Sequence, residues 1–89
     1  MRVWELHLAG CSSLKDKRRI LKSLKDRLHN EFQVAVAETA HQDSWQRAEL
    51  TCVTVASERR HVERVLQSAD NFVAGHPLAR IIDSMVTYR

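Results

Sequence analysis

Glycine occurs twice and proline once in 89 residues, and there are only two cysteines. Two glycines far apart exclude a glycine-rich phosphate loop, which needs several together so that the backbone can wrap an anion. Cys11 and Cys52 supply neither a disulfide framework nor a metal-ligand spacing, so both are expected as reduced thiols. No apolar run approaches the ~20 residues of a membrane span. After Met1-Arg2 the stretch "VWELHLAG" has neither the apolar core nor the small-residue cleavage site of a secretory signal. A cytoplasmic protein without membrane attachment is the expectation. Aromatics are scarce as well, at two Trp, two Phe and one Tyr.

What is there is periodicity. Residues 2–8, "RVWELHL", alternate, with Trp4, Leu6 and Leu8 on one side and Val3, Glu5 and His7 on the other, as in a strand with one buried face. Ser13 then opens a helix over residues 13–31, its hydroxyl placed to accept from the Asp16 N–H. Leu14, Leu21, Leu24, Leu28 and Phe32 form the core stripe of that helix. "QVAVAETA" (33–40) and "AELTCVTVA" (48–56) read as an antiparallel strand pair. Ser57 is expected to cap a second helix with Val62, Val65, Leu66, Ala69, Phe72 and Val73 inward, ending at a left-handed Gly75 before Pro77. "ARIIDSMVTYR" is the last strand.

The order β-α-β-β-α-β across residues 1–89 predicts a single α+β domain. Its expected form is the ferredoxin-like split β-α-β sandwich, a four-stranded antiparallel sheet with both helices on one face. The first and third strands are expected in the centre, running parallel, with the second and fourth at the edges. A domain of this size buries roughly 60–65% of its unfolded surface, which leaves little room for a deep substrate pocket.

Charge is unevenly spread. Lys15–Arg27 holds seven basic residues and two acids, so this one segment carries more than the whole net charge of +3. At 100° per residue, Lys15, Arg18, Arg19, Lys22, Lys25 and His29 share about a third of the helix circumference, opposite the core stripe. Like charges stand at i,i+4, as in Lys15 with Arg19 and Arg18 with Lys22, which costs helix stability. A polyanion is the usual reason for such an arc, and a merely solvated basic face is the alternative. The sheet offers no base-stacking platform. The third strand has no aromatic, and Trp4 shares the core side with Leu6 and Leu8.

The connection "HQDSWQR" (41–47) has no Gly or Pro to ease its turn. One reading is structural: Asp43 organises an Asx-turn, and Trp45 lies back over the hairpin with its indole N–H on a carbonyl. The other is functional: Trp45 stacks on a base, Gln42 and Gln46 offer amides, and Arg47 clamps a phosphate.

"SLKDKRRILKSLKDRL", "VAVAETAHQDSWQRAEL" and "VTVASERRHVERVL" closely resemble the YlxP-like bacterial family, a domain of unknown function. The resemblance runs from the first strand through the second helix. It implies a ferredoxin-like fold, no attached enzymatic activity, and a gene neighbourhood beside translation initiation factor two and ribosome-binding factor A. Ser13, Leu14, Lys15, Lys17 and Arg18 match the family's helix-start motif. His41, Gln42, Asp43, Trp45, Gln46 and Arg47 match its loop motif.

Enzyme readings are thin. His41 and Asp43, with His61 or His76, would be a sparse metal set, and Cys11 before a helix start has no nameable base. The expectation is no catalytic residue, no metal and no cofactor. The expected function is a non-enzymatic accessory factor in ribosome maturation or translation, with ribosomal RNA or the small subunit as partner. The alternative is a protein-interaction or homodimerisation module using the open sheet face or an edge strand, with Val3, Val53 and Val55 outward.

Overall fold

The computed structural model describes residues 1–88. It contains β1 (Arg2–His7), α1 (Leu14–Phe32), β2 (Ala35–Ala40), β3 (Arg47–Val53), α2 (Arg59–Ala74) and β4 (Arg80–Val86). The sheet order is β2-β3-β1-β4, and every neighbouring pair is antiparallel. This is the ferredoxin-like architecture that the periodicity predicts.

The central strands are β1 and β3, but they run antiparallel, from Arg2 opposite Cys52 to His7 opposite Arg47. The parallel expectation is corrected by the connections themselves. Each helical crossover returns the chain in its original direction, while the hairpin between β2 and β3 reverses it.

Alternation puts Trp4, Leu6, Ala48, Leu50 and Cys52 on the inner face of the sheet, where Leu21, Leu24 and Leu28 of α1 and Leu66, Ala69 and Val73 of α2 close over them. Each fully buried Leu contributes about 1.5–3 kcal/mol relative to exposure. Trp4 is the largest side chain in this core, and its indole N–H donates to Asp70 Oδ1 of α2 at 2.8 Å. Arg2 reaches the same oxygen at 3.2 Å, so one carboxylate ties the first strand to the second helix.

Ser13 caps α1 as expected, its hydroxyl accepting from the Asp16 N–H at 3.1 Å. The other caps differ. Glu58, with no side-chain bond to the helix, caps α2 in place of Ser57, and Gly75 adopts an ordinary right-handed conformation at φ −83°. The left-handed cap belongs instead to Gln33 at the end of α1, with φ 58°.

Candidate nucleic-acid interface

Position 17 follows the spacing of Leu21, Leu24 and Leu28, so the helix carries its ammonium toward the core. Lys17 is only 2% exposed, and a buried cation requires partners. It has two. Its Nζ lies 2.8 Å from Glu38 Oε2, on the helix side of β2. It also donates to the main-chain oxygen of His41 at 2.5 Å. The start of α1 is thereby fastened to the entry of the 41–47 loop.

His41 is held from the other side too. Its backbone is left-handed, at φ 64°, which turns the imidazole onto the open face of the sheet. There Nε2 meets Glu5 Oε1 at 2.7 Å, and Arg47 donates to Glu5 Oε2 at 2.6 Å. Glu5 stands directly opposite Glu49 on β3 and Asp83 on β4, a row of like charges across three strands. The hydrogen bonds from His41, then Arg47, nevertheless hold its carboxyl below the usual value, against the opposing effect of desolvation.

The turn is closed by backbone and serine rather than by Asp43. Ser44 N–H donates to the His41 oxygen at 3.0 Å, and Arg47 N–H to the Ser44 hydroxyl at 3.2 Å. The Asp43 carboxylate accepts no hydrogen bond among the described residues, which corrects the Asx-turn expectation. Trp45 is half exposed, and its indole N–H meets no carbonyl among the described residues. It is an aromatic on a loop anchored through Lys17, His41 and Arg47. Gln42 and Gln46 are exposed beside it. Arg47 is anchored on Glu5, so any phosphate contact from it would compete with that bond.

On α1 the arc is exposed at Lys15, Arg18, Arg19, Lys22 and His29, with Lys25 half-buried. Lys15 and Arg18 have no carboxylate within ion-pair distance among the described residues. Arg19 approaches Asp16 at 3.6 Å, and Lys22 lies 2.9 Å from Asp26, with both partners of the latter pair open to water. The hydrogen bond to Asp26 raises the Lys22 pKa, which keeps its charge in place. Exposed pairs of this kind are weak and exchange readily for other anions. His29 turns back, with Nδ1 3.1 Å from the Val34 oxygen just before β2. Arg27 marks the other flank of the helix, lying over the Phe72 ring of α2 at 4.7 Å. The arc therefore overlooks the β2 side, the same side to which Lys17 fastens the loop.

The nucleophile and metal readings find no geometry. Cys11 is buried, and desolvation pushes its thiol pKa up, opposite to what an activated thiolate needs. His41 is bonded to Glu5, and no group of three His, Cys, Asp or Glu side chains is placed to hold a metal among the described residues. No described helix is long and apolar enough to cross a membrane.

Sequence reasoning placed the loop and the arc but gave no anchoring role to Lys17, Glu38 or Glu5, which set the loop's position. The signal was present: a lone Lys in a leucine stripe and a Glu alternating with Val36.

A family described as "Protein of unknown function (DUF503)" matches residues 1–86. The chain is also 38% identical over 73 residues to "Uncharacterized protein YlxP" of Bacillus subtilis (strain 168), covering 82% of this chain and 79% of that protein. The resemblance carried by the helix-start and loop motifs is borne out.

Proposed function

Since this chain belongs to the DUF503 family of proteins of unknown function, we propose from its own geometry that it is a non-enzymatic, cytoplasmic RNA-binding accessory factor. The observation that carries the reading is the outer flank of α1, where Lys15 and Arg18 are exposed without carboxylate partners among the described residues, Arg19 only approaches the half-buried Asp16, and Lys22 is held by the exposed Asp26. A flank of this kind neutralises phosphates at little cost, because little is given up within the protein. The loop, fastened to α1 through Lys17, adds the half-exposed Trp45 as a base-stacking group. Ribosome maturation or translation as the setting rests on the gene neighbourhood implied by the family resemblance.

The test is salt-dependent binding to small-subunit particles or their RNA. About four neutralised phosphates give a log–log slope near −3, at about 0.7 per single-stranded contact, and Arg18→Gln with Lys22→Gln flattens it by about 1.4. Binding that ignores salt, or ignores this double change, overturns the proposal.

A further inference from the structure

The exposed edge of β4 carries a second, independent signal. Arg80 stands opposite His7 and Asp83 opposite Glu5, and His7 and Glu5 lie on the same face of β1. Two residues three apart in a regular strand would point to opposite faces. Here the irregularity between Glu5 and Leu6 leaves Ile82 as the extra residue, and it brings Arg80 and Asp83 onto one face. Neither has an ion-pair partner among the described residues. Asp83 instead faces the like charge of Glu5, an arrangement unfavourable within one copy.

The same strand holds Ile82, Met85 and Val86 in the open, and Met85 is paired in register with the half-buried Val3. Its outer backbone groups face no further strand among the described residues, and the two charges on this edge, Arg80 and Asp83, are of opposite sign and so admit a complementary strand. Val53 and Val55, expected outward, are indeed exposed, but they lie on and beyond β3 rather than on this edge.

We propose that β4 pairs antiparallel with β4 of a second copy of this chain about a two-fold axis between Ile81 and Ile82. The bulge is what makes this register work, because it sets Arg80 of each copy against Asp83 of the other. The Arg80 and Asp83 of each chain, without ion-pair partners among its described residues, are then neutralised in two pairs across the contact. The ladder runs over Arg80–Asp83 of each copy, with Ile82 against Ile81 of its counterpart, and the two sheets join into one of eight strands. An isologous contact of this kind is self-complementary and closes at two copies. It uses the edge opposite β2, so it leaves the basic flank of α1 free, and it does not depend on RNA binding.

The test is the mass of the full chain in solution by sedimentation equilibrium, at tens to hundreds of micromolar. Twice the 10.3 kDa of the chain is expected. Arg80→Asp and Asp83→Arg are each expected to weaken self-association at least tenfold while leaving the circular dichroism spectrum intact. An equimolar mixture of the two single variants is expected to restore the dimer, because one chain then offers two cations and the other two anions. A wild-type monomer across the whole range overturns the proposal. So does a dimer that both reversals leave unchanged, or a mixture that fails to recover.

Discussion

The ammonium of Lys17 ends on the main-chain oxygen of His41, 24 residues further along the chain, and on Glu38 at 2.8 Å. Removing a buried cation leaves the facing carboxylate and carbonyl without their partner, which is worse than removing the whole polar set. Lys17→Met is therefore expected to lose about 3 kcal/mol of stability, a fall of ~12–24 °C in melting temperature for a domain of this size. Adding Glu38→Leu is expected to recover much of the loss, since the buried charge goes with its partner. Thermal melts of the single and double variants, followed by circular dichroism, check both steps.

On the opposite face, Glu5 has its pKa lowered from the ordinary 4.5 by its bonds to His41 and Arg47. A depressed folded-state pKa means stability that is present above the unfolded value and lost as pH falls through the folded one. Wild type is expected to exceed Glu5→Gln in melting temperature above about pH 5, and the gap is expected to close as pH drops below 4.5. A gap that widens in acid would mean that repulsion from Glu49 and Asp83 outweighs the two bonds.

The contrast between these anchors shows what a linear reading can and cannot reach. The alternation around Trp4, Leu6 and Leu8 and the stripe of Leu21, Leu24 and Leu28 were legible because burial imposes a period on the sequence. Lys17 is equally legible in principle, since it sits in that stripe, but the period alone does not say which partners a buried ammonium finds. The direction of β1 against β3 is set by the connections, and the parallel expectation leaves out the reversal at the β2–β3 hairpin. The bulges were not legible. The extra residue at Ile82, and the irregularity near Thr39 that precedes the left-handed His41, leave no mark on composition or period. Glu5 likewise reads as an ordinary outward strand residue until the hairpin brings His41 and Arg47 to it.

Trp4 and Trp45 differ as widely as two indoles can in one small domain, one fully buried and the other 51% exposed. Acrylamide is expected to quench only part of the fluorescence, and Trp45→Phe to remove that accessible part. If the loop works with the basic flank, adding RNA changes the Trp45 emission and leaves that of Trp4 unmoved. Trp45→Ala then weakens binding by about tenfold, at the low end of base-stacking energies, with a melting temperature close to wild type. A tenfold loss accompanied by a large fall in melting temperature would assign Trp45 to structure instead.

His41 offers a test that reverses an ordinary order. Glycine in place of alanine usually costs about 0.5–1 kcal/mol, through the greater freedom of the unfolded chain. At φ 64° the order is expected to invert, because a Cβ in the left-handed region meets the following carbonyl, at a cost of about 1–2 kcal/mol. Both His41→Gly and His41→Ala lose the imidazole contact with Glu5 and keep the main-chain oxygen that Lys17 uses, so those terms cancel between them. His41→Gly is therefore expected to unfold at higher urea concentration than His41→Ala, by about 1 kcal/mol at an unchanged denaturant slope. Alanine at or above glycine would show that the turn relaxes out of the left-handed conformation once the imidazole is gone. Glu5, rather than Lys17, would then be what holds the loop in its bend.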